Sequence, residues 1–156
     1  MKKLSYFSFI SFFVLFIAAI SFVSCSADDE IVPDPSPKLT SGLWAVEEFT
    51  PTSGTIEEKF LLSIVSVFED TAYVFSSNGS FVSKDCFFGT DTEGTWSVSA
   101  DNKFLSLTQG QTTIQVEIVD ISATNMTWRR TFTKEELEYT KELTGVYKLK
   151  NYPLEE

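Results

Sequence analysis

The chain contains no histidine, only two cysteines, and 12 Lys plus Arg against 22 Asp plus Glu in 156 residues. Without histidine there is no Ser-His or Cys-His nucleophile pair and no histidine-ligated zinc site. Carboxylates, Lys, Tyr and two thiols are the remaining candidates for chemistry. Neutralising phosphates needs clustered cations. Beyond the N-terminus the one basic pair is Arg129-Arg130, so a sequence-independent nucleic-acid binder is excluded. No cofactor or metal is implied. The length suits one domain, and no nucleophile, base and orienting residue can be assembled from spacing, so no enzymatic activity is expected. Glu57-Glu58 and Glu135-Glu136 are adjacent carboxylates, but neighbours in sequence face different ways and read as a solvated surface.

What is present is unevenly spread. Six of the fifteen Phe residues fall in the first 24 positions. Lys2-Lys3 precede an apolar run without charge, Leu4 to Val23, and then the small Ser24 and Cys25. This is a secretory signal layout. A run of about 20 apolar residues is also long enough for a transmembrane helix, the alternative reading. A small residue directly before Cys resembles the bacterial lipobox, with Phe22 where that motif carries Leu. The resemblance implies cleavage after Ser24 and acylation of Cys25 by palmitate-type chains. Two chains suffice for stable anchoring at about 0.8 kcal/mol per buried methylene.

Ser26-Ala27-Asp28-Asp29-Glu30 is similar to the export signal that sends Bacteroidota lipoproteins to the outer face of the outer membrane; the alternative is a plain acidic linker. Removing residues 1–24 deletes two Lys and no acid, taking the formal charge from −10 to −12. Such a surface repels anionic headgroups, so membrane attachment is expected through the lipid alone. Residues 25–38, with Pro33, Pro35 and Pro37, are expected as an extended tether. Cys86 has no partner once Cys25 is acylated, and reads as an inert thiol on a strand.

From Leu39 to Glu156 the chain alternates short apolar runs with turn residues. Eight strands are predicted, at 43–50, 72–77, 80–87, 95–99, 104–109, 112–119, 126–133 and 146–152, in an all-β, antiparallel up-and-down barrel. Asn78-Gly79, Asp101-Asn102 and Gly110-Gln111 mark tight turns. Between the first two strands Ile56, Phe60, Leu61, Ile64, Val65 and Phe68 recur at spacings of three and four, behind a Thr55/Glu58 capping box. The spacing predicts a helix with that stripe on the barrel and Glu57, Glu58 and Lys59 toward water. Lys134 to Leu143 reads equally as a helical turn or a polar hairpin.

Gly42-Leu43-Trp44 opens the first strand, followed by Tyr73-Val74-Phe75, Asn78-Gly79 and Gly94-Thr95-Trp96. This order resembles the lipocalin Gly-x-Trp signature and the small lipocalin-like domains of Bacteroidota lipoproteins. The Thr-Asp-Tyr motif of animal lipocalins is missing. The resemblance implies an Arg laid over Trp44, supplied by Arg129 or Arg130. Alternation puts Arg130 on the apolar face with Met126, Trp128 and Phe132. A buried Arg needs a partner: the Trp44 ring, an inward carboxylate such as Glu48, or the acidic head of a ligand. Tyr73, Phe75, Phe81, Trp96, Ile114, Val116 and Trp128 lie on the apolar faces and either line a ligand pocket or fill the interior.

The expected function is a surface lipoprotein binding a small apolar or amphipathic molecule. The alternative is a filled barrel that contacts a protein partner. An acidic surface of this kind suits a monomer. Asp70-Thr71-Ala72 resembles the O-glycosylation acceptor of Bacteroidota, with Thr71 as the acceptor. Intact-mass analysis of the protein from its native membrane should therefore find a chain beginning at acylated Cys25 and carrying a glycan at Thr71. A mass equal to peptide plus lipid would refute the glycan.

Overall fold

The computed structural model describes residues 32–67, 72–84 and 89–154. Cys25, Thr71, Cys86 and Phe68 lie outside them, as does most of the expected tether. The compact unit that follows begins at Val32.

Eight antiparallel strands form a closed barrel in sequence order, each paired with the next and the last with the first. They are β1 (Leu43–Pro51), β2 (Ala72–Phe75), β3 (Ser80–Lys84), β4 (Asp91–Val98), β5 (Phe104–Gln109), β6 (Thr112–Ile121), β7 (Asn125–Phe132) and β8 (Leu143–Tyr152). A helical turn, α1 (Ser36–Leu39), precedes β1; a helix, α2 (Ile56–Val67), lies between β1 and β2; and a second turn, α3 (Lys134–Leu137), leads into β8. None of the helices among the described residues is long and apolar enough to cross a membrane.

All eight expected strands are present, with shifted ends. β2 stops at Phe75 because the Gly79 N–H donates to Ser76 O, closing a longer loop than a two-residue turn. β4 starts at Asp91, four residues early, because Gly94 continues a strand rather than breaking one. A Cβ there would lie 2.4 Å from Thr108 O and 2.6 Å from the Phe81 ring, so glycine lets β4 pass over Phe81. β8 starts at Leu143, already paired with Phe132. Lys134–Leu143 resolves as a helical turn: Thr133 and Glu136 form a reciprocal capping box, and left-handed Glu138 ends it.

Alternation along β1 is corrected by a bulge between Val46 and Glu48. The extra residue puts both Glu47 and Glu48 outside and returns Phe49 to the core, 4.5 Å from the Tyr147 ring. Glu48 therefore cannot be an inward partner for Arg130. It is exposed and pairs with Lys148 at 2.8 Å.

Two elements differ from expectation. Residues 32–38 are packed against the lower end of the barrel instead of running as an extended spacer. Pro35 and Leu39 are fully buried, Asn102 Nδ2 donates to Val32 O, and Lys38 Nζ donates to Ile121 O. Helix α2 is rolled about its axis. Leu62 is buried and Val65 packs on the core, while Ile56, Phe60 and Ile64 are 84%, 67% and 43% exposed. The roll follows Glu58. Its carboxylate accepts from the Thr55 N–H at 2.7 Å and meets Lys141 Nζ at 2.9 Å and the Tyr139 hydroxyl at 3.1 Å, so it faces inward where water was expected.

The Gly42-x-Trp44 pair locks the lower end. Trp44 is fully buried, and its indole N–H donates to Leu39 O at 2.9 Å, tying α1 under the barrel. A Cβ on Gly42 would stand 2.3 Å from Asn151 Oδ1 and 2.5 Å from Tyr152 O, so only glycine permits this approach to β8. Gly42→Ala should cost about 1–3 kcal/mol by forcing β1 and β8 apart. Urea denaturation would check it, and an unchanged midpoint would remove the steric role.

Candidate ligand site

The interior is occupied by its own side chains. Tyr73, Phe75, Phe81 and Trp128 are buried, with Tyr73 and Phe75 stacked at 6.1 Å and Tyr73 edge-on to Trp128 at 5.1 Å. Trp96, half-buried, meets Phe75 at 5.8 Å and donates its indole N–H to Ser76 O. Val116 is also buried. Among the described residues a partly open space of about 30 Å³ remains between Tyr73, Phe81, Leu107, Gln109, Thr112 and Ile114. That is room for about one water molecule. The side chains considered for pocket walls are therefore mostly core, with Tyr73, Phe81 and Ile114 bordering the small remaining space.

Space of ligand size lies elsewhere, at the seam between β6 and β7. Their ladder begins at Ile121↔Met126 and ends at Val116↔Arg130. Beyond it β6 continues to Thr112 on β5, and β7 continues to Phe132 on β8. The unpaired stretches border a cleft of about 470 Å³, within the range of small-molecule sites. Phe104, Thr113, Gln115, Glu117, Arg129 and Thr131 line it from the outer faces of the strands. Thr112, Ile114 and Arg130 line it from the inner-face positions, and Thr133 and Glu136 cap its upper end.

Both arginines are in this cleft, and neither meets Trp44. Trp44 pairs with Asn151 near the lower end, whereas Arg130 pairs with Gly145, itself opposite Pro51 at the upper end. Register therefore overrides the expected stack. Arg130, with only 11% of its side chain exposed, lies 4.4 Å over the Phe132 ring and bonds Glu136 through Nη2 at 2.8 Å. Arg129 points outward and bonds Glu117 at 2.6 Å. Burial pushes the Glu136 carboxyl up, but the Thr133 N–H and the Arg130 guanidinium outweigh it, leaving the group below the usual glutamate range. Glu136 thus fixes Arg130 and caps α3 at once.

Of the residues singled out from sequence, the structure brings Arg129, Arg130 and Ile114 to the cleft and places Gly42 and Trp44 at the far end. Phe104, Gln115, Glu117 and Thr131 escaped notice because alternation assigns the outer positions to solvent, and Glu136, expected on a solvated surface, instead bonds Arg130. Their meeting depends on cross-strand register, such as Phe104↔Glu117↔Arg129. Among the described residues no cluster of His, Cys, Asp and Glu could hold a metal.

Comparison with protein-family models finds no match, and no curated protein matches. Solved structures do show likeness. A DUF4847 family protein from Bacteroides vulgatus is 9% identical, with 75% of this chain and 96% of that one covered and a TM-score of 0.44. Bovine odorant-binding protein in complex with undecanal is 11% identical over 81% of this chain and 79% of that one, with a TM-score of 0.48. The same protein with its natural ligand is 13% identical at the same coverage, with a TM-score of 0.47.

Outside the cleft, Glu58 is a buried carboxylate with three partners. The Lys141 ammonium first, and then the Thr55 amide, hold it below the usual glutamate range. A depressed folded-state pKa stabilises fully above the unfolded value and ceases to do so as pH falls through the folded one. The stability difference between wild type and Glu58→Gln should therefore be positive near neutrality and shrink as pH falls through and below the ordinary glutamate range. Urea melts across that range would measure it, and a pH-independent difference would show that the ionised form contributes nothing.

Proposed function

We propose that this chain is a non-enzymatic lipoprotein of the bacterial outer membrane, anchored by acyl chains on Cys25 and exposed at the cell surface, whose barrel domain binds a small molecule. The observation that carries the binding reading is the contrast between about 30 Å³ inside the barrel and about 470 Å³ at the β6–β7 seam. A filled core leaves no apolar chamber, so the ligand lies in the wall of the barrel. The anchoring reading rests on Lys2-Lys3, the run to Val23, Cys25 and the acidic residues after it. A net charge of −12 on the mature chain supports attachment by lipid rather than by surface charge.

A second reading has its own support. The filled interior and the exposed row Ile56, Phe60 and Ile64 on α2 fit a protein-interaction module with a partner at the cell surface.

The two readings separate in one experiment. The full mature chain, released from the membrane by Cys25→Ser and produced in a related bacterium, should carry a stoichiometric small molecule in native mass spectrometry. Thr131→Trp, which fills the cleft from an exposed position, should abolish it without lowering thermal stability. A bare mass, with no stabilisation by any small molecule offered, would sink the binding reading in favour of the module.

A further inference from the structure

The cleft's chemistry narrows the class of its occupant, an inference that rests on the ligand-binding reading above. Its charges cancel locally. Arg129 faces Glu117 at 2.6 Å and Arg130 faces Glu136 at 2.8 Å, so each guanidinium already has its carboxylate. An incoming carboxylate or phosphate would meet two acids as closely as two bases and gain little net attraction. The space of about 30 Å³ cannot receive an alkyl chain, and in the cleft only Phe104 and Ile114 are hydrocarbon side chains, the remaining apolar surface being the methyls and stems of Thr, Gln, Arg and Glu, each of which ends in a polar group.

What the cleft does offer is neutral hydrogen bonding in both directions. A guanidinium has five N–H donors, of which Arg129 engages one with Glu117. The Gln115 amide and the Thr131 hydroxyl, both exposed and on the cleft wall, make no hydrogen bond to any described residue. Where the β6–β7 ladder stops, alternate main-chain N–H and C=O groups of 112–115 and 131–132, those not turned toward the β5 and β8 ladders, add further donors and acceptors fixed by the strands. Phe104 supplies a half-buried aromatic surface beside them.

We propose that the cleft binds a neutral, polyhydroxylated molecule, a short oligosaccharide. Hydroxyls that both donate and accept suit the Arg–Glu pairs, Gln115 and Thr131, and the C–H face of a sugar ring packs on Phe104. Charge neutrality makes the affinity insensitive to salt, unlike recognition of an anion.

The test uses the mature chain carrying Cys25→Ser, isotope-labelled and followed by amide NMR, titrated separately with maltotriose, xylotriose, chitotriose and sodium dodecanoate. At least one glycan should shift the amides of Thr112–Gln115 and Thr131–Thr133 saturably, with affinity unchanged between about 50 mM and about 500 mM salt. Phe104→Ala and Gln115→Ala should each weaken it about tenfold or more. Gln115 is exposed, so that variant remains informative if Phe104→Ala fails to fold. Dodecanoate shifting these amides while no glycan does would overturn the oligosaccharide and leave the binding reading standing. Glycan shifts confined to other amides would overturn the site, and silence from all four probes would overturn both readings.

Discussion

Everything else in this molecule follows from how narrow a closed eight-stranded barrel is. Its interior has room for side chains or for one small guest, and not for both. Here the choice is made by aromatics. Tyr73, Phe75, Phe81, Trp128 and Tyr147 occupy the axis with ring centroids 5.1 to 6.4 Å apart along the chain of contacts. Each such ring buries a large apolar area and gains further from edge-to-face contact, so emptying the barrel for a ligand would forfeit core stability. Space for a guest is thereby left to the wall.

The wall can open at only one kind of place, where two neighbouring strands have better partners on their far sides. β6 is held by β5 over its upper half, and β7 is held by β8 along its whole length. Their shared ladder ends at Val116↔Arg130. Above that point β7 stays on β8 and runs into α3. The Thr133/Glu136 capping box fixes the first turn, and Glu136 reaches back to Arg130. One carboxylate thus caps a helix terminus and pairs with a largely buried cation.

Strand number, order and the α2 position were legible in the sequence because they depend on local alternation and turn residues. Asn78-Gly79 and Gly110 sit at real turns, and Thr55 caps α2. What alternation could not carry was anything that changes parity or depends on register. The bulge after Val46 turned Glu48 outward, and the three partners of Glu58 rolled α2 away from its apolar stripe. Gly94 read as a boundary because the Phe81 ring beneath it belongs to another strand. The site was harder still. Arg130 was visible as a polar residue on an apolar face, but Glu136 as its partner required α3, and Phe104, Glu117 and Arg129 required two ladders in register.

The distribution of charge bears on how such a site is reached. Residues 25–156 carry a formal charge of −12, so at low salt their field repels anions before they arrive. Within the cleft the two Arg–Glu pairs cancel. An anionic ligand would thus be opposed at long range and unrewarded at contact, whereas a neutral one is indifferent to the field and meets fixed donors and acceptors. Arg129 and Arg130, the one basic pair in an acidic domain, are therefore better understood as half of a neutral hydrogen-bonding surface than as an anion trap. A paired arginine keeps most of its donors while giving up its net charge, and that is the property a polar, uncharged guest would select.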